Sequence, residues 1–184
     1  MTSSTDYAVP TGEYVEEWLD EHNMTRAELA RRTGVSRKHI TTVIAGAPVT
    51  PDFAMRLELV TGVPAQRWLA LEAQYRADLE RLGLIHSLAA DTELLARFGQ
   101  SFTYLRHHGI VSGTMRRPGE LVMELMAFFG VGSPDALVPG TLIPQVSFRQ
   151  SHAFTAEDAS LATWLRMAGH VAREQPLQCA YDPV

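Results

Sequence analysis

Apolar residues return every three or four positions along this chain, between polar caps, glycines and prolines, which is the spacing of short amphipathic helices. The first such segment opens at Thr11 or Gly12 and runs to about His22, with Tyr14, Val15, Trp18 and Leu19 as its inward stripe. A second starts at Thr25, where Thr25 and Glu28 have the spacing of a capping box. Ala27, Leu29 and Ala30 are its packing positions, and Gly34 is its left-handed stop. Val35 follows as a buried turn residue. Ser36 then caps a third helix, whose Ile40, Val43 and Ile44 share one apolar face. Thr50-Pro51-Asp52 supplies a cap, a first-turn proline and an acid for a fourth, which runs to about Thr61 with Phe53, Leu57 and Val60 inward. Gly62-Val63-Pro64 breaks it, and a fifth carries Trp68, Leu69, Leu71 and Tyr75 from about Pro64 to Arg81.

Past Arg81 the pattern is coarser. Gly83 and His86-Ser87 predict a break, followed by helical segments at about 91–98, 101–108 and 118–129. The last has Leu121, Val122, Leu125, Met126, Phe128 and Phe129, an apolar face too wide for a free surface helix. Ser133-Pro134-Asp135 reads as another helix start, and 138–146 as mostly irregular. Thr155 and Asp158 have capping-box spacing before a helix to about Glu174 that carries Leu161, Trp164, Leu165, Ala168 and Val171. Alternation of useful length is absent, so the expected fold class is all-α: a mobile tail over 1–10, a five-helix unit over 11–82 and a second all-α unit over 83–184.

Composition narrows the class. At 46% hydrophobic and 20% charged residues the chain has an ordinary soluble composition. No apolar run reaches the ~20 residues of a membrane span, and MTSSTDYAVP lacks the basic start and apolar core of a signal peptide. The one cysteine, Cys179, excludes an intrachain disulfide and fits a reducing cytoplasm. A net charge of −5 argues against indiscriminate nucleic-acid binding. Its distribution is uneven, however. Residues 11–24 hold Glu13, Glu16, Glu17, Asp20 and Glu21 and no Lys or Arg, whereas 25–46 hold Arg26, Arg31, Arg32, Arg37 and Lys38 against Glu28 alone. The third helix therefore pairs an apolar inner face with an outer one carrying Arg37, Lys38, His39, Thr41 and Thr42, which suits the DNA major groove.

ELARRTGVSRKHITTVIAG resembles the helix-turn-helix of Cro/repressor-type regulators, whose pattern is roughly T/Q-x-x-E-L-A-x-x-x-G-V/I-S/T-x-x-x-I/V-S/T. PTGEYVEEWL and TPDFAMRLELVTGVPAQRWLALEAQYRADL extend the resemblance to HigA-type antitoxins over residues 10–81. The chain departs from them in the loop after the third helix, which usually carries Lys or Arg; here it is the uncharged Ala45-Gly46-Ala47-Pro48. In the second half, GELVMELMAFFGVGSPDAL and SFRQSHAFTAEDASLATWLRMA resemble the region that links such a unit to an ImmA/IrrE-type zinc peptidase. The signature H-E-x-x-H of that peptidase is missing. His107 and His108 are adjacent, and His152 and His170 are isolated, so no zinc-ligand spacing arises. The sequence stops at YDPV, about where the peptidase begins in longer relatives, which leaves a short regulator and a fragment of a longer chain both open.

Other chemistries find little support. Ser112 and Thr114 lack a visible base partner. Arg116-Arg117 reads as a solvated pair, and Met123, Met126 and Met167 as core filler. No catalytic, cofactor or metal site is expected. The expected function is a cytoplasmic, sequence-specific DNA-binding regulator, a repressor of antitoxin-like or phage-repressor-like kind. Arg37 and Lys38 are the expected base-edge contacts, and His39, Thr41 and Thr42 secondary ones. Arg26 and Ser36 are placed to hold phosphates near helix N-termini. Expected partners are operator DNA, a second copy in a homodimer, and a toxin or other protein. The rival reading is a protein-interaction module, either one that neutralises a toxin or the sensor half of a peptidase regulator.

Overall fold

The structure, a computed structural model, describes residues 7–143 and 155–174. Cys179, His152 and the first six residues of the expected tail lie outside them. Among the described residues every regular element is helical: α1 Thr11–Glu21, α2 Arg26–Thr33, α3 Arg37–Ile44, α4 Pro51–Thr61, α5 Ala65–Leu88, α6 Thr92–Arg97, α7 Gly99–His107, α8 Pro118–Phe129, α9 Pro139–Leu142 and α10 Ala156–Glu174. The chain divides into two compact units, Met1–Gly83 and Leu84–Val184.

The first unit closes over Val15, Leu19, Leu29, Ile40, Val43, Phe53, Leu57 and Trp68. Pro10, expected in the tail, is the N-cap of α1, with its carbonyl accepting from the Glu13 amide at 3.0 Å. Tyr14 is more exposed than its place in the stripe suggested, and Gly12 is buried instead. A Cβ on Gly12 would stand 2.3 Å from the Val43 carbonyl oxygen and 2.4 Å from Ile44 Cα. The absent side chain is what lets α1 lie directly on the end of α3. Gly34 and Gly62 end α2 and α4 at φ +70 and +73, the left-handed conformation their places demanded.

Two expectations for the fifth helix are corrected. It ends at Leu88, not near Arg81, and the expected break at Gly83 and His86-Ser87 lies inside it. A lone glycine in a long helix costs only about 1 kcal/mol, and the Ser87 hydroxyl is satisfied locally by the Leu84 carbonyl at 2.8 Å. Leu88, buried in the core of the second unit, holds the final turn.

That second unit is built around Leu94, Phe98, Phe102, Leu105, Leu121, Leu125 and Phe129. Asp91 caps α6 by accepting from the Leu94 amide. A Cβ on Gly119 would meet the Ile85 carbonyl oxygen at 1.9 Å, so glycine is needed where α8 crosses α5. Ser133-Pro134-Asp135 begins only a 3₁₀ turn, Pro134–Ala136, and Pro139–Leu142 is helical where irregular chain was expected. The expected apolar stripe of α10 is turned. Ala159, Ala162, Thr163 and Met167 are buried, while Trp164 and Val171 are exposed. Small residues let α10 approach closely enough for the Thr163 and Ser101 hydroxyls to bond at 3.0 Å, and an indole does not fit there. Met126 and Met167 are core residues. Ser112 is a loop anchor: its hydroxyl and amide, with the Gly113 amide, donate to the Glu124 carboxylate. No described helix is long and apolar enough to cross a membrane, and no group of three or more described His, Cys, Asp or Glu is placed to hold a metal.

Candidate nucleic-acid interface

The third helix owes its position to short-range chemistry at both ends. At its start the Ser36 hydroxyl oxygen accepts from the His39 amide at 3.1 Å. Ile40 and Val43 then bury, and Arg37, Lys38, Thr41 and Thr42 are left exposed. At its end the loop carbonyl of Gly46 accepts from Arg76 Nη2 at 2.9 Å, while Arg76 Nε donates to Glu72 at 2.7 Å. A guanidinium from α5 thus stands beside the uncharged loop 45–48. The sequence reading missed it; the available signal was the Glu72–Arg76 spacing of four, which aligns the pair on one helix face.

The exposed face is chemically mixed. Thr41 and Thr42 donate to the carbonyls of Arg37 (3.0 Å) and His39 (2.8 Å). Their lone pairs remain to accept a base amino proton, and their methyl groups to touch a thymine methyl. His39 departs from the expected face. Its ring meets Phe53 edge-on at 4.8 Å, and the buried Nε2 has no hydrogen-bond partner. It packs α3 on α4, whereas Arg37, Lys38, Thr41 and Thr42 stand together outside.

The cations of α2 are differently placed. Arg26 pairs with Glu16 of α1. Glu28 accepts from Arg31 Nε at 3.0 Å through one oxygen and from Arg32 Nε at 2.6 Å through the other. Those bonds, Arg31 first, hold the Glu28 carboxyl below the ordinary glutamate range and raise the Arg31 guanidinium in turn. They also correct the expected capping box. Thr25 accepts from the Glu28 amide at 3.1 Å, but the carboxylate turns toward the guanidiniums instead of back to the Thr25 amide. At Thr155 the reciprocal box is complete, with Asp158 accepting from the Thr155 amide at 2.9 Å and Thr155 from the Asp158 amide at 3.2 Å. Of the five cations in the basic stretch, three face carboxylates. Among the described residues Arg37 and Lys38 are in no ion pair.

Comparison with known proteins agrees with this geometry. Residues 15–68 match the helix-turn-helix family model. A relative from Escherichia coli strain K12, named uncharacterized HTH-type transcriptional regulator YddM, is 33% identical over 79 residues, covering 39% of this chain and 84% of the relative.

Proposed function

Because the chain belongs to the helix-turn-helix family of transcriptional regulators, we propose that it is a cytoplasmic, sequence-specific repressor, antitoxin-like or phage-repressor-like, that acts by occluding an operator. The observation that carries this reading is the exposed Arg37–Lys38 pair directly after the Ser36 cap, in no ion pair among the described residues. Arg37 reads guanine O6 and N7, Lys38 a neighbouring base or phosphate, and Thr41 and Thr42 the next bases along the groove. Ser36 and the first-turn amides of α3 receive a phosphate. Arg26 joins them only by sharing or leaving Glu16, and His39 contributes by holding α3 in register. The protein acts by binding alone.

Two chains bind together through the second unit, where Trp164 and Tyr104 are exposed. Paired reading helices then engage near-palindromic half-sites about one helical turn, ~34 Å, apart. Gel-shift titration of the protein on its own promoter tests the first claim: a discrete, competitor-resistant complex is expected, and a smear removed equally by random DNA overturns it. Light scattering of the free and DNA-bound protein tests the second. A monomer in both states, on an asymmetric site, excludes the dimer.

A further inference from the structure

A groove lined by α1 and α5 in the first unit has no part in the reading above. Tyr14, Trp18, Trp68 and Leu71 form its apolar walls, Glu17, Glu21 and Arg67 its charged edge, and its volume is about 260 Å³. A second hollow of about 200 Å³ adjoins it across Tyr14 and Leu71, with Tyr75 and Asp78 in its lining. We propose that this double groove docks a basic peptide segment of a partner protein.

Three observations converge on that chemistry. Aromatic faces are electronegative and attract cations, and three aromatic rings here stand with two exposed carboxylates. His22 stacks on Trp18 at 4.0 Å, and Trp18, which also packs against the core of the unit, keeps a half-exposed edge toward the groove. Trp68 is 3% exposed, and its buried indole N–H has no hydrogen-bond partner. Such a donor is a cost until an acceptor reaches it, and a main-chain carbonyl is the acceptor every peptide carries. Finally, α1 has five carboxylates and no Lys or Arg, so its outer surface repels DNA and favours a cationic chain. Glu17 and Glu21 of the first hollow are in no described ion pair, whereas Asp78 of the second already faces Arg81 at 3.3 Å. The first hollow therefore takes the cation and the second the next side chain of the segment, an arrangement that suits a peptide better than an isolated small cation. Arg67 sets a register: it disfavours a second cation beside it and accepts an acidic or neutral residue there.

The three tryptophans make the test direct. In the full chain, indole N–H signals are followed by nuclear magnetic resonance during titration with an amphipathic peptide of lysine, arginine and leucine. The Trp18 and Trp68 signals are expected to move, while Trp164, exposed in the second unit, stays in place. Glu17→Gln combined with Glu21→Gln is expected to weaken binding about tenfold. Glu13→Gln, on the same helix but outside the groove lining, leaves it unchanged. Overturning results are no movement, equal movement with a peptide carrying glutamate in place of the cations, or Trp164 moving as much as Trp68. Equal movement with tetramethylammonium, or equal weakening by Glu13→Gln, also overturns it. In those cases the groove is a small-cation cage or the effect is bulk charge.

Discussion

Adjacent helices of the first unit carry the same kind of charge to opposite effect. On α2 the guanidiniums of Arg26, Arg31 and Arg32 each have a carboxylate. On α3 Arg37 and Lys38 stand exposed outside any described ion pair. Charge counted along the sequence therefore overstates what the unit can offer a phosphate chain. Glu28 neutralises Arg31 and Arg32 of α2, which leaves the exposed face of α3 as the electrostatic focus of the basic stretch. A protein that reads bases through few unpaired cations trades affinity for any DNA against discrimination, since phosphate contacts carry no sequence information.

The largest effect comes from removing the support of α3 while the pairs internal to α2 stay. Gly12→Ala places a Cβ against the Val43 carbonyl, and because the atoms it meets are backbone the cost lies at or above the upper end of the ~1–3 kcal/mol usual for overpacking. Denaturant melting of the first unit checks it, and DNA binding is expected to fall with the fold. An unchanged midpoint means α1 does not seat on α3 so closely. Next in size, Arg37→Ala loses ~1–3 kcal/mol of specific binding at an unchanged melting temperature. Arg31→Ala and Arg116→Ala lose much less, as fluorescence anisotropy on promoter DNA can show. If Arg31→Ala matches Arg37→Ala, the contrast between the helices fails.

Smaller and opposite in sign is Glu28→Gln. It releases Arg31 and Arg32, so affinity for random DNA is expected to rise and the salt slope to steepen by about one phosphate. Competition binding on random duplex checks this. The smallest effect is on pH dependence. Glu28 titrates below its unfolded value because it faces Arg31 and Arg32. Its contribution is complete above the unfolded glutamate range and is lost as pH falls through the lowered folded value. Thermal melts of wild type and Glu28→Gln are expected to differ slightly at neutral pH and to converge in acid, and a gap that widens in acid contradicts the assignment.

Local signals made much of this legible. Thr25, Ser36, Thr50 and Thr155 cap the helices they were expected to cap, and Gly34 takes the left-handed turn. What stayed hidden depended on distant partners. Gly12 reads as a helix opener until the backbone of α3 is seen above it, and Gly83 reads as a break until Leu88 is buried. The face of α10 was misjudged because hydrophobicity favoured Trp164, whereas close packing favoured Ala159 and Ala162. On the candidate interface, side-chain type placed Arg37, Lys38, Thr41 and Thr42 outward. It could not reveal that Phe53 draws His39 inward, or that Arg76 arrives from α5.

The central claim is that, within the basic stretch 25–46, the cations in no described ion pair are those of α3 and that they are offered to DNA, and the salt dependence of binding tests it most directly. Affinity of the wild-type chain is measured on its own promoter and on random duplex of equal length across a salt series. Preference for the promoter is predicted at every salt concentration, with a shallow slope of log K against log salt, no steeper than about two neutralised phosphates per bound chain. Equal affinity for the two duplexes, with a slope near that of all five cations of the basic stretch, contradicts it.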